Sequence, residues 1–395
     1  MDELKFIAKT FLLWRLLLFI PLYIGYLFLP YRPGFEYTNV WSRVEPYFPV
    51  NNFLFYPWAN FDGVHYLSIA GVGYTTEARF FPLFPLLIRF ISNIFSSNQA
   101  FGLGQFIVGF LIANVSFFLA LIILYKLVQL DFSAKIAKLS MIFLLIFPSA
   151  FFFGSIYSES LFLLLLLLSF YFMRQRKWLV ASFFATFLTI TRPVGIVIIP
   201  VLIFEFVTQE KIIGILRRWD RKKLFKIFIK SIPLYFTLVG IVFFAWFNLQ
   251  KWGNAFYFFH SQGEVGSGRS VAKIILFPQT LFRYGKILTN LPLSQFEWWI
   301  ALLEILVFIF AIVLLYSSWK RGTQTSYLIF AILSFLIPAS SGTFSALPRY
   351  IIVIFPIFMT LALIQDKVVK FIYLIASPVL LFLALMFFSR GYFIA

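Results

Sequence analysis

The chain has 395 residues, 62% hydrophobic and 22% aromatic, with charged residues at 12% and a net charge of +18. That charged fraction is about half of what a soluble domain carries, and apolar runs of membrane-spanning length recur from end to end. The absence of cysteine excludes disulfides and thiol chemistry, and two histidines, His65 and His260, leave little for a His-built metal site.

In chain order, length and hydropathy predict about eleven spans, near 10–30, 101–130, 138–157, 159–173, 178–191, 194–208, 231–250, 297–318, 326–345, 350–364 and 370–389. The expected fold class is an all-α polytopic membrane protein, one integral unit over residues 1–395. The first segment is too long for a signal-peptide core and has no small-residue cleavage site after it, so it reads as a retained span. With the amino terminus inside, roughly 20 basic residues fall on inner segments against roughly 11 on outer ones. The positive charge is therefore a topology signal, with attraction to anionic membrane lipid added, and not a nucleic-acid signal.

Two outer segments are long, 31–100 and 251–296. On the inner side, "KIIGILRRWDRKKLFKIFIK" within 209–230 is basic and amphipathic, the pattern of a helix lying along the interface. The first outer segment gathers charge that the chain elsewhere avoids, in "PWANFDGVHYLSIAGVGYTTEARFFPLFP". Near-helical spacing after Asp62 predicts a short interfacial helix with Asp62 as its amino-terminal cap. The alternative role for Asp62 is a general base at the membrane surface, its proton affinity raised by the apolar rings of Trp58, Phe61 and Tyr66. Glu77 and Arg79 read either as a solvated loop pair or as groups for hydroxyls and a phosphate. His65 reads first as a packed side chain.

Further on, "FPSAFFFGSIYSESLFLL" sets Ser158 and Glu159 where they could open a helix, and leaves Glu159 as an acid beside hydrocarbon. Arg192 in "TRPVG" needs a partner, either a carboxylate such as Glu159 or a lipid phosphate. Arg349 and Tyr350 in "LPRY" repeat the theme, and a guanidinium suits phosphate oxygens. The stretch "NAFYFFHSQGEVGSGRS" reads as a flap over a site. With so few ligands, neither a metal nor another cofactor is expected.

"NFDGVHYLSIAGVGY", "FFPLFPLLIR" and "FPSAFFFGSIYSESLFLL" together resemble the motif blocks of PIG-V-like GT-C glycosyltransferases, relatives of the second mannosyltransferase of GPI-anchor assembly. Asp62, His65, Tyr66, Ala70, Gly73, Tyr74 and Phe80 to Pro85 fit the first block, with Phe61 where the family has Trp. "TRPVG" and "LPRY" resemble later blocks. The resemblance implies a GT-C bundle with short interfacial helices in the first extracytoplasmic loop. It also implies transfer of a sugar (mannose or another hexose or pentose) from a polyprenyl-phosphate donor to a glycan, lipid or protein acceptor. Asp62 would be the catalytic acid residue of the family, with Glu77 beside it. Arg192, Arg349, Arg79 and His65 would bind the donor phosphate, and Trp58, Tyr66, Tyr74, Tyr157 and Glu159 the substrates. A compact chain of this kind fits a prokaryotic plasma membrane. The competing classes are a lipid or sugar transporter, which would use the membrane acids Glu205 and Glu304, and a non-catalytic assembly subunit.

Overall fold

The computed structural model describes residues 2–40, 42–43, 53–95, 101–217, 219–263, 270 and 274–394. Among these, regular structure is helical throughout, apart from one isolated bridge between Ile275 and Ser341. Helices α1 (Asp2–Leu17) and α2 (Phe19–Phe28) share the first apolar stretch. Residues 31–100 carry α3 (Asp62–Val72) and α4 (Leu83–Phe95). Then follow α5 (Leu103–Gln129), α6 (Ala134–Leu145), α7 (Glu159–Arg174), α8 (Trp178–Thr189), α9 (Ile198–Gln209), α10 (Ile212–Arg217) and α11 (Arg221–Trp252). Residues 251–296 hold α12 (Tyr257–His260) and α13 (Phe277–Asn290). The chain closes with α14 (Phe296–Lys320), α15 (Thr325–Ala339), α16 (Leu347–Ile351), α17 (Phe355–Leu363) and α18 (Lys367–Ser389).

Among the described residues, five helical stretches are long and apolar enough to cross a membrane: Asp2–Phe28, Leu103–Gln129, Arg221–Trp252, Phe296–Lys320 and Lys367–Ser389. Shorter apolar helices, such as Trp178–Thr189 and Thr325–Ala339, lie at some of the other expected positions, whereas 138–157 and 350–364 are each divided between two short helical pieces. The chain is thus an integral multi-pass membrane protein. The long helices keep apolar side chains exposed along their length, Leu16, Leu111 and Phe243 among them, because lipid rather than water faces them.

The basic segment 209–230 folds differently from the sequence expectation. Its first part is α10, but from Arg221 it forms the opening turns of α11. Asp220 caps that helix by accepting from the Lys223 N–H at 3.1 Å, so residues before the span gain helical continuity from the span itself.

The two acids that favoured a transporter are both partnered inside the protein. Glu205 accepts from Gln209 at 2.6 Å and lies 3.8 Å from Arg174, which itself forks onto Asp131 at 2.7 and 2.8 Å. Glu304 accepts the Tyr284 hydroxyl at 2.5 Å. The same hydroxyl receives the Phe344 N–H at 2.9 Å, and Arg283 donates to the Gly342 carbonyl at 3.1 Å. Helix α13 is therefore bound to the turn that leads into α16, where Arg349 sits.

Candidate active site

Helix α3 begins at Asp62, one residue earlier than capping by Asp62 would require. The capping position falls to Phe61, which has no side-chain cap and a backbone φ of +57°. Positive φ in a bulky residue is strained and is held only where surrounding structure fixes it. Here the Phe61 N–H donates to the Thr38 carbonyl at 2.7 Å, and its ring packs on Phe388 and Phe393. The helix ends at Gly73, whose φ of +85° a side chain would resist.

The two principal motif blocks are hydrogen-bonded to each other. Ile156 N–H donates to the Trp58 carbonyl at 2.7 Å. The Tyr157 hydroxyl donates to the Asn60 carbonyl at 2.7 Å and accepts the Asp62 N–H at 3.2 Å. Tyr66 and Ser158 share a hydroxyl–hydroxyl bond at 2.9 Å. Gly63 permits this approach, because a Cβ there would meet the Ile156 carbonyl oxygen at 3.4 Å and Ala59 at 3.3 Å. Ser158, expected as a cap, is used for the Tyr66 contact and makes no side-chain cap bond.

With its backbone fixed, Asp62 turns its carboxylate to Arg349, whose Nη1 donates to Oδ2 at 2.5 Å. Arg349 Nε lies 3.2 Å from Glu159, and Glu159 is in direct contact with Arg192. Asp62, Arg349, Glu159 and Arg192 thus alternate in charge along one line, of which Asp62, Arg349 and Arg192 reach a cavity and Glu159 does not. Glu159 is fully buried. Two guanidiniums make that burial tolerable, since an unpaired carboxylate there would cost several kcal/mol, an order-of-magnitude figure.

The cavity has a volume of about 530 Å³, and its walls include Asp62, His65, Tyr66, Arg79, Arg192 and Arg349. These are six of the residues singled out from the sequence, drawn from three separate stretches. Burial pushes the Asp62 carboxyl up, as the aromatic neighbours suggested, but Arg349, Arg79 and His65 outweigh it. Asp62 is held below its ordinary value, the reverse of the sequence expectation. Burial likewise lowers Arg79, partly offset by Asp62 and Glu77.

The other expected site residues stand behind the cavity wall. Trp58 is fully buried, donates to the Leu54 carbonyl at 2.8 Å, and lies face-on to the Arg15 guanidinium at 3.7 Å. Tyr74 donates to the Phe80 carbonyl at 2.8 Å and packs on Phe247 and Trp252. Tyr157 and Glu159 are buried. Glu77 faces its own turn: Oε2 accepts from Thr75 Oγ1 at 2.8 Å and from the Thr76 and Thr75 amides at 3.0 and 3.2 Å. Its Oε1 lies 3.9 Å from His65, whose other nitrogen is 3.4 Å from Arg79.

Burial raises the Glu77 carboxyl, but His65 and the Thr75 and Thr76 donors prevail and bring it from 4.5 down to about 2. A depressed carboxylate contributes stability that is complete above its unfolded value and lost as pH falls through the folded one. Thermal unfolding of the detergent-solubilised protein should therefore lose stability between pH 4.5 and about 2. Glu77→Gln should flatten that acid limb by several degrees and cost activity a few-fold at most. A hundred-fold loss of turnover with unaltered acid stability would make Glu77 a reacting group.

Sequence reading missed Gln262 and the aromatic residues Phe35, Tyr37 and Phe393, all in the cavity wall. Gln262 donates to the Arg79 carbonyl at 3.1 Å. It lies in the stretch expected to form a flap, of which residues 264–269 fall outside the described residues. No short motif marks these positions. Among the described residues, no three His, Cys, Asp or Glu side chains converge as a metal cluster.

Two solved structures of the Archaeoglobus fulgidus oligosaccharyltransferase are similar to this chain. The complex with Zn and sulfate shares 18% identity, with 84% of this chain and 49% of that one covered and a TM-score of 0.43. The apo form shares 17% identity, with 86% and 52% covered and a TM-score of 0.44. The chain spans about half the length of those proteins. No curated protein matches it. The family described as mannosyltransferase (PIG-V) matches residues 42–269, more than half of the chain, a stretch that contains Asp62, Glu159 and Arg192 but not Arg349. The chain belongs to the PIG-V mannosyltransferase family of glycosyltransferases.

Proposed function

We propose that the cavity transfers a sugar, mannose by family, from a polyprenyl-phosphate donor to a hydroxyl of a glycan, lipid or protein acceptor. In this reading the bundle is of the GT-C type, with about eleven passes, and the site faces the extracytoplasmic side of a prokaryotic plasma membrane. The observation that carries it is the convergence of Arg79, Arg192 and Arg349 on the cavity that Asp62 lines.

Arginines suit a phosphate because each presents paired donors in one plane. The charge balance points the same way: four guanidiniums, Arg43, Arg79, Arg192 and Arg349, line the cavity, against Asp62 in its wall and Glu77 and Glu159 behind it. A polyprenyl-phosphoryl sugar is a phosphodiester with one negative charge, and it departs as a monoester with a second charge developing. The surplus cation therefore stabilises the leaving group more than the bound donor, which is the condition for catalysis.

In the transfer, Asp62 takes the proton of the acceptor hydroxyl while its oxygen bonds to the anomeric carbon from the side opposite the phosphate. The bond from that carbon to the phosphate oxygen breaks, its electron pair leaves with the polyprenyl phosphate, and the anomeric centre inverts. Proton transfer of this kind contributes typically ~10²–10⁴-fold. A donor phosphate that draws Arg349 away from Asp62 would also remove the main cation lowering the carboxylate's proton affinity.

A transfer assay on the purified protein in nanodiscs, with a panel of polyprenyl-phosphate sugars and of nucleotide sugars, tests this reading. Turnover is expected from a polyprenyl-phosphate sugar, mannose first, and none from nucleotide sugars. Turnover from nucleotide sugars alone would overturn it.

A further inference from the structure

By their contacts, residues of the cavity lining fall into two chemically different groups, here called walls, with Asp62 between them. One wall carries Arg79, Arg192 and Arg349. The other is aromatic: Phe35, Tyr37, Phe61 and Phe393. We infer that this aromatic wall is the acceptor subsite, and that the acceptor presents a pyranose ring to it. The inference rests on the donor reading of the arginine wall, and its test separates the two.

The aromatic wall is built and held in place. Phe35 and Tyr37 stack with centroids 6.0 Å apart and planes 25° from parallel. The Arg32 guanidinium covers Phe35 at 4.2 Å and is itself tied to Glu297 at 2.6 Å. The segment is joined to the base through the bond from Phe61 N–H to the Thr38 carbonyl. Phe61 then meets Phe393 edge-on at 5.3 Å. The strained backbone of Phe61 has a consequence here. It directs the ring to the aromatic wall while the very next side chain, Asp62, points to Arg349.

Position and chemistry both argue for a saccharide. In-line displacement requires the acceptor to approach the anomeric carbon from the side opposite the phosphate, with its hydroxyl in reach of Asp62. If the phosphate lies on Arg79, Arg192 and Arg349, the rings joined to Asp62 through Phe61 are left for the acceptor. Tyr37 is 59% exposed and Phe393 36%, so ring surface remains open to a ligand. Flat rings accept the apolar C–H face of a pyranose, while polar groups at the rim fix its hydroxyls. Such a group is Arg43, which donates to the Tyr37 carbonyl at 3.0 Å, and Gln262 lines the same cavity from the Arg79 side. An acyl chain would want a wall continuous with hydrocarbon, and this one is bordered by Arg43, Asp62 and the exposed Glu36.

The test uses the full chain in nanodiscs and two small probes. Saturation-transfer NMR reads methyl α-mannopyranoside and methyl α-glucopyranoside, and a separate titration reads citronellyl phosphate, a short isoprenyl phosphate. Wild type should transfer saturation to the ring protons of at least one glycoside. Tyr37→Ala and Phe35→Ala should each reduce that signal five-fold or more and leave citronellyl phosphate binding unchanged. Tyr37→Phe should restore it. Arg349→Ala should show the opposite pattern. No saturation in wild type, or a signal unchanged in both alanine variants, would overturn the inference and make these rings interfacial anchors. Glycoside binding without citronellyl phosphate binding would sink the donor reading and leave the saccharide wall standing.

Discussion

Asp62→Asn should yield a folded protein that has lost two orders of magnitude or more in turnover, with a donor KM no higher than that of wild type. The substitution keeps size and shape and removes only the negative charge. Helix α3 does not depend on that charge, because its capping position is Phe61 and its first turn is held by the Asp62 N–H on the Tyr157 hydroxyl. The cost falls on Arg349, which loses the partner at 2.5 Å but retains Glu159 at 3.2 Å. Breaking a buried pair typically costs about 3–5 kcal/mol, and the second carboxylate should keep the loss below that. Arg349 would then be more available to a donor phosphate. The decisive feature is the split between the two constants. If Asp62 served only to orient Arg349, donor KM would rise and turnover would hold. Steady-state kinetics on a folded variant, checked by its thermal transition, decides between them.

Loss of either inner arginine should act on the donor. Arg192→Ala and Arg349→Ala are each expected to raise donor KM by one to two orders of magnitude, because a hydrogen bond to a charged group is worth about 1.5–3 kcal/mol. Lys at either position should recover only part of the loss, since an ammonium lacks the planar fork. The two variants should differ in stability. Arg349→Ala leaves Asp62 and Glu159 with one cation between them, so it should lower the thermal transition more than Arg192→Ala. Unchanged donor dependence in both folded variants would reduce the arginines to a clamp on buried Glu159.

How much of this was legible beforehand differs from residue to residue. The five long apolar helices were readable because lipid demands long apolar runs with internally satisfied backbones, and such runs are local in sequence. The clustering of Asp62, His65 and Arg79 was readable too, being contained in one short stretch of an otherwise uncharged chain. The partnership of Arg192 with Glu159 could be named as one of two options, since a cation beside hydrocarbon needs an anion. The motif resemblance supplied the family, and the match over residues 42–269 agrees with it.

Tertiary structure alone decided which of these groups reach the cavity. Glu77 and Glu159 are as acidic as Asp62 in the sequence, yet one is turned into its own loop and the other is buried. That depends on contacts between residues about 90 to 290 positions apart: Tyr66 with Ser158, Tyr157 with Asn60, Arg349 with Asp62. The sign of the Asp62 shift was decided the same way, because nearby rings act through local sequence and the overriding cations arrive from elsewhere. The aromatic wall was equally hidden, its rings coming from both ends of the chain, Phe35 and Phe393. Composition and periodicity report what each segment must bury. Which charges meet, and so which carboxylate is held against a guanidinium at the cavity, follows only from how the buried segments pack.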